Sequence, residues 1–299
     1  MKMLTKKEER KCMWIEILEH VLLHSLEETL KLIPFLFLTY LAMEYLENRA
    51  GQKTIALLSR TGKKGPVIGA VLGIIPQCGF SAAAANLYAG GVITVGAMVA
   101  VFLSTSDEML PILISGRAAT KEIIAIVLAK VLVGCLAGLF VDYVVRRMNH
   151  GKQKGLHIHE ICEKDHCHCE DGSLLKSALI HCANITVFIF VVLFAVHLIA
   201  EVIGMEQLVG VAANYPFLSI LLVALIGMIP NCAISVAITT LYLEGVLSFG
   251  SMFAGLLSCA GIGIAILFKM NPNWKNNVII AGGIYAISVL SGILIEIML

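Results

Sequence analysis

Charged side chains are scarce in this sequence: Asp, Glu, Lys and Arg make up 14% of its 299 residues, while hydrophobic residues make up 58%. A soluble domain carries about 25% charged residues, so the chain lacks the polar surface needed to cover itself in water. Only 49–65 and 147–173 are sizeable polar stretches. Neither a GxxxxGK[ST] phosphate loop nor a GxGxxG turn is present, which argues against an ATP-driven pump within this chain and leaves an ion gradient or a separate subunit as energy source. A net charge of +1 gives no footprint for nucleic acid. The charged start, MKMLTKKEERK, turns apolar without a small-residue cleavage site and reads as mature sequence. Nine cysteines are scattered without the framework of a secreted disulfide protein, as expected of thiols kept reduced on the cytoplasmic side.

What fills the chain instead is apolar sequence in runs long enough to span a bilayer, such as 121–146 and 278–299, at a mean hydropathy of +0.88. Residues 73–113 align without gaps on 227–267, and across IPQCGFSAAAANLYAGGVITVGAMVAVFLS and IPNCAISVAITTLYLEGVLSFGSMFAGLLS about half the positions are identical. The register runs on to pair Lys121 with Lys275 and Gly138 with Gly292. After a three-residue slip it runs back to pair His24 with His181, Thr29 with Thr186 and Glu44 with Glu201. Lys and Arg favour the cytoplasmic side. The loop after the first long helix carries Arg49, Lys53, Arg60, Lys63 and Lys64, whereas its counterpart 204–215 carries no basic residue. Equivalent loops are therefore expected on opposite sides. The expected fold is an all-α integral membrane protein of two inverted-topology repeats with paired broken or re-entrant helices. The first membrane repeat is placed at 1–146, a cytoplasmic linker at 147–173 and the second repeat at 174–299. Residues 14–33 have apolar positions 14, 17, 18, 21, 22, 26, 30 and 33 at helical spacing, which suits an amphipathic helix lying on or re-entering the membrane.

Pro76 and Pro230 interrupt apolar segments at equivalent places, each followed by an amide and a cysteine: Gln77 and Cys78, then Asn231 and Cys232. A broken helix in lipid is tolerated only where protein or a water-filled cavity satisfies its backbone, and paired breaks point to a central binding site. A packing kink is the structural alternative. Asp107 and Glu108, in the 104–108 run SerThrSerAspGlu, stand in an apolar segment where a carboxylate costs about 2.5–3.5 kcal/mol, so they are candidates to bind a cation or carry a coupling proton. The second half has Gly261 and Ile262 there. His24 and His181 occupy matching positions, with His20, Glu27 and Glu28 one turn from His24; they are candidate ligands or packing residues. Ser104 pairs with Ser258, Ser81 with Ser235 and Tyr88 with Tyr242. Ser104 joins the candidate site, although such hydroxyls, like Gly69-x-x-x-Gly73 and Gly134-x-x-x-Gly138, usually serve helix packing. The linker holds five of nine histidines and three of nine cysteines. His157, His159, Cys162, His166, Cys167, His168 and Cys169 are soft ligands in no standard finger spacing, suited to a labile metal site; a plain tether is the alternative.

The duplicated IleProGlnCys and IleProAsnCys segments, the Leu-Tyr-x-x-Gly-Val continuation and the His/Cys-rich linker resemble a prokaryotic ten-span heavy-metal exporter family over about 20–299. Members are labelled arsenic efflux protein or manganese transporter. The resemblance implies metal or metalloid export across the cytoplasmic membrane, with no enzyme activity and no cofactor beyond the transported ion. A more distant likeness is to permeases with a Pro-x-Cys-x-Cys-Gly motif, but Pro76-Gln77-Cys78-Gly79-Phe80 lacks the second cysteine. Arsenite or organoarsenical efflux would use clustered thiols, whereas manganese prefers carboxylate, carbonyl and amide oxygens; one cysteine per half favours a divalent metal. Expected partners are the ion, the bilayer, a coupling proton and a second copy in a homodimer. A metal-responsive sensor or partner subunit working through the linker, and an intramembrane lipid enzyme using His24 and the acids, are the rival readings.

Overall fold

The protein is described here by a computed structural model covering residues 6–49, 64–75, 79–106, 109–148, 174–203, 216–231 and 233–298. The Pro76-Gln77-Cys78 run, Asp107, Glu108, Cys232, the linker's seven candidate ligands and the His181 side chain lie outside the described residues. Among the described residues the chain is all-helical. The first half forms α1 (Lys6–Arg49), α2 (Gly65–Leu72), α3 (Gly79–Ala89), α4 (Val95–Ser104), α5 (Met109–Ser115) and α6 (Thr120–Met148). The second forms α7 (Leu174–Ile203), α8 (Pro216–Gly227), α9 (Ala233–Leu243), α10 (Phe249–Ser258), α11 (Gly263–Met270) and α12 (Trp274–Met298). Gly79, Val95, Met109 and Thr120 start α3 to α6, and Ala233, Phe249, Gly263 and Trp274 start α9 to α12, each 154 residues later. The internal alignment thus carries over into element boundaries.

The shared Leu-Tyr-x-x-Gly-Val sequence has a local cause. Gly91 and Gly245 both adopt φ 75°, the left-handed region open to glycine. There the Val92 N–H donates to Leu87 O at 2.8 Å and the Gly91 N–H to Tyr88 O at 3.0 Å, and Val246 and Gly245 repeat the pattern on Leu241 and Tyr242 at 2.9 Å each. This is a Schellman cap that ends α3 and α9. Three residues after each glycine, Thr94 and Ser248 accept from the Ala97 and Ser251 N–H groups and so start α4 and α10. One short sequence therefore ends one helix and begins the next in both halves.

By length and composition, four segments of the described residues are able to cross a membrane. Val95–Ser115 and Phe249–Met270, which contain the breaks after α4 and α10, are 75% and 89% buried, against 28% each for Thr120–Met148 and Trp274–Met298. The interrupted segments are central and the long unbroken helices peripheral. Small residues allow this packing: a Cβ on Gly69 would lie 2.6 Å from Ala97 O, one on Gly138 2.5 Å from Gly96 O, and one on Gly292 2.7 Å from Gly250 O. Both small-residue stripes of the first half therefore clasp α4, one from α2 and one from α6.

α1 is a single helix that continues through Pro34 and packs along α7. Val21, Ser25, Thr29, Leu32, Leu36 and Tyr40 form its buried stripe, while Leu18, Leu22, Leu26 and Leu30 face outward. This inverts the usual meaning of an apolar face. Surrounded by lipid, leucines gain nothing by turning inward, and the protein-facing side takes residues that pack closely or hydrogen-bond. Thr29 and Thr186, paired by the alignment, each donate their hydroxyl to the carbonyl four residues back, Ser25 O and Cys182 O, at 2.6 Å.

Candidate functional site

α4 and α10 both stop inside the buried centre. The Thr105 and Cys259 N–H groups still close a helical turn on Val101 O and Gly255 O, at 2.9 and 3.1 Å. The chain then turns away, with Thr105 at φ −54°, ψ 128° and Cys259 at φ −75°, ψ 85°. Carbonyls of a last helical turn have no intrahelical partner and carry the negative end of the helix dipole. Two such ends, one from each half, are joined by a single side chain. Lys130 of α6, 1% exposed, donates from Nζ to Thr105 O at 2.5 Å and to Leu256 O at 2.8 Å.

The serines at these ends are structural in their hydrogen bonding. Ser104 Oγ donates to Ala100 O at 2.7 Å and Ser258 Oγ to Gly255 O at 2.9 Å. Each is covered by the glycine that precedes the proline break, since a Cβ on Gly73 would lie 2.0 Å from Ser104 Oγ and one on Gly227 2.3 Å from Ser258 Oγ. Asn231 is buried, and its Oδ1 accepts from the Ala233 N–H at 2.7 Å, so its amide oxygen closes the turn that starts α9. Of the residues singled out in the sequence, Ser104 thus sits directly at a helix end and Asn231 at the start of the neighbouring helix.

His24 lies elsewhere, on α1, with its side chain exposed. Its ring centroid is 4.9 Å from that of His20 and 6.1 Å from that of His197. His197 Nδ1 is 3.0 Å from Ser25 Oγ, and its Nε2 is 3.6 Å from Glu28 Oε1. His197 was not foreseen. α1 and α7 run antiparallel, with Ser25 beside His197 while Ile33 O lies 3.9 Å from Cys182 Sγ, so residues matched in the repeat do not face one another here. Among the described residues no group of three or more His, Cys, Asp or Glu side chains is arranged to hold a metal ion.

Sequence reasoning also missed Lys130, although a lone lysine inside the apolar run AIVLAKVLVGCLAGLFV is the signal by which a functional intramembrane residue is found. Two further pairs emerged. Asp142 accepts from the Gly96 N–H at 2.9 Å and from Thr94 Oγ1 at 2.8 Å, and Glu296 accepts from the Gly250 N–H at 3.0 Å. Each carboxylate ends a long helix and sits on the N-terminus of the helix whose other end meets Lys130, where negative charge is stabilised. Tyr88 and Tyr242 reach across the halves. Asn276 Nδ2 donates to the Tyr88 hydroxyl at 2.9 Å, and the Tyr242 hydroxyl donates to Glu122 Oε1. Asn276 and Glu122 are both in the first turn of a long helix, α12 and α6.

A search of curated proteins and a search of solved structures returned no match. One family does match, that described as "Putative, 10TM heavy-metal exporter", over residues 18–184, which comprise most of the first half, the linker and the start of α7. Joined to an all-helical chain with long apolar helices around a buried centre, this match, over more than half of the sequence, means that the chain belongs to that family of membrane heavy-metal exporters.

Proposed function

We propose that the protein exports a divalent transition metal, manganese foremost, by alternating access between two inverted halves, with the ion held where the paired broken helices end. One observation carries this reading: equivalent helices of the two halves, α4 and α10, stop in the buried centre, where last-turn carbonyls lack intrahelical partners and Lys130 Nζ bridges Thr105 O and Leu256 O. Carbonyl oxygens, the amides of Gln77 and Asn231 and the carboxylates of Asp107 and Glu108 make a hard, oxygen-rich ligand set, which suits Mn²⁺ better than a thiophilic ion. Cys78 and Cys232 supply at most one sulfur per half. Asp107 or Glu108 carries the proton that exchanges for the metal across the cytoplasmic membrane of a prokaryote, and the linker binds metal loosely as a buffer. His24 and His181 belong to the periphery of this pathway. The basic loop at 49–65 against 204–215, which has no basic residue, supports the inverted arrangement.

The linker's thiols and imidazoles favour a second reading, efflux of a soft metal or metalloid such as arsenite. Elemental analysis of cells with and without the protein, challenged with manganese, zinc, cadmium, copper and arsenite, separates the two. Manganese lowered selectively in expressing cells is the expected result. Arsenite or cadmium lowered instead would establish the soft-ion reading, and no change in any element would remove both.

A further inference from the structure

Two half-buried hydrogen bonds join the halves away from the centre, Tyr88 with Asn276 and Tyr242 with Glu122, and nothing in the proposed reading uses them. We infer that these bridges are the two gates of the transport pathway, Tyr88–Asn276 on the cytoplasmic side and the stronger Tyr242–Glu122 on the external side, so that the resting protein opens inward to load its ion. This rests on the export reading and adds which residues hold each end shut.

The repeat sets the geometry. Tyr242 and Asn276 stand 154 residues after Tyr88 and Glu122, so the two bridges are one contact made twice about a pseudo-two-fold axis. They lie at opposite ends. α6 runs from Glu122, at the Tyr242 bridge, to Asp142, which accepts from the Gly96 N–H at the start of α4, just past the cap that follows Tyr88. α12 runs from Asn276, at the Tyr88 bridge, to Glu296, which accepts from the Gly250 N–H at the start of α10, just past the cap that follows Tyr242. The long helices thus pass between the same two ends in opposite directions, each covering 20 residues, about 30 Å, the thickness of a hydrocarbon core. α4 enters from the Tyr88 end and α10 from the Tyr242 end. Both stop in the centre between the bridges, where Cys259 is 3% exposed.

Chemistry makes the two ends unequal. Tyr242 donates to a carboxylate while Tyr88 accepts from a neutral amide, and a hydrogen bond to a charged group is roughly twice as strong. The Tyr242 end is also closely packed: its ring meets Phe249 edge-on with centroids 5.9 Å apart, and a Cβ on Gly116 would lie 2.5 Å from Leu243 Cδ1 in the other half. Charge assigns the sides. The basic stretch 49–65 leads into α2 at Gly65, where a Cβ would lie 3.7 Å from Thr94 Oγ1 at the start of α4, and Arg146 and Arg147 follow Asp142 at that same end. At the other end Arg117 and Lys121 flank Glu122, and 204–215, which leads into α8, carries no basic residue. Lys and Arg favour the cytoplasmic side, which is therefore the Tyr88 end. The weaker gate faces the compartment from which an exporter loads, and the Glu122 gate opens for release.

The test uses the full-length protein in right-side-out and inside-out membrane vesicles, with a membrane-impermeant maleimide as probe, peptide mass spectrometry to read Cys259, and Mn²⁺ flux followed in parallel. In the wild type Cys259 should label faster from the cytoplasmic face. Tyr242→Phe should raise labelling from the external face about tenfold without raising it from the cytoplasmic face. Tyr88→Phe should raise the cytoplasmic rate about threefold and leave the external rate no higher. Glu122→Gln keeps an acceptor without its charge, so its external rate should fall between those of the wild type and Tyr242→Phe, and it serves as the test where a phenylalanine variant folds poorly. Tyrosines that merely stabilise the fold would give labelling that rises equally from both faces, which overturns the inference. So does an exchange of the two sides, or a wild type that labels faster from outside. The expected labelling pattern in a protein that moves neither Mn²⁺ nor any other metal tested upholds the gates and overturns the export reading, whereas metal flux with labelling indifferent to side overturns the inference alone.

Discussion

The two halves differ most where they are most alike in backbone. Helices α3 to α6 and α9 to α12 share one register, one pair of Schellman caps, one glycine-against-serine contact at the helix break and one carboxylate on a helix N-terminus. Within that common frame the ionisable residues concentrate in the first half: Lys130 against Ile284, Glu122 against Asn276, and Asp107 and Glu108 against Gly261 and Ile262. What the halves share are the requirements of packing and backbone satisfaction in lipid, which are the same for any cargo. Apart from the Lys121–Lys275 and Asp142–Glu296 pairs, what they do not share is charge. The second half thus acts as a built-in reference against which the chemistry of the first can be read.

The largest expected effect comes from erasing the difference at the centre. Ile284→Lys places a second ammonium in a buried position whose surroundings accommodate an isoleucine. Such an uncompensated buried charge costs on the order of 3–5 kcal/mol. The variant should lose most of its folded yield and melt well below the wild type in detergent. An Ile284→Lys protein of wild-type stability would mean that the second half tolerates the same charge, and the asymmetry argument would fail. Next in size are the paired carboxylates. Asp142→Ala removes two hydrogen bonds at the start of α4, and Glu296→Ala one at the start of α10. The losses should be about 2 and about 1 kcal/mol, read as shifts in thermal midpoint. Equal shifts would show that Thr94 adds nothing and that the two ends are held alike.

This division explains what could be read from the sequence. Pro230, the repeated Gly-Val and the glycine stripes are legible because they act on the backbone or on close neighbours, and the structure ends and packs its helices at those places. Asn231 and Ser104 were legible as positions, whereas the turn and back-bonded hydrogen bonds their oxygens make could not be read, because these depend on local dihedral angles. The partner of His24 could not be read, because two antiparallel helices bring together residues that no repeat alignment pairs. Lys130 stood in plain view in a quoted apolar run; only the tertiary meeting of α4 and α10 shows what it joins.

The smallest expected effect concerns the edge of the comparison, the tyrosines. Tyr88 accepts from a neutral amide at the start of α12, whereas Tyr242 donates to the Glu122 carboxylate at the start of α6, and all four side chains are half-buried. A hydrogen bond to a charged group contributes about 1.5–3 kcal/mol and a neutral one about 0.5–1.5. Tyr242→Phe should therefore lower the thermal midpoint more than Tyr88→Phe, by a difference of roughly 1 kcal/mol once the partial exposure of the pair is allowed for. Glu122→Asn copies the residue of the second half and should shrink that difference to a few tenths of a kcal/mol. If the two phenylalanine variants melt together while Glu122 is intact, the cross-links between the halves are equivalent. The asymmetry of charge would then matter only at the centre, where Lys130 meets the two helix ends.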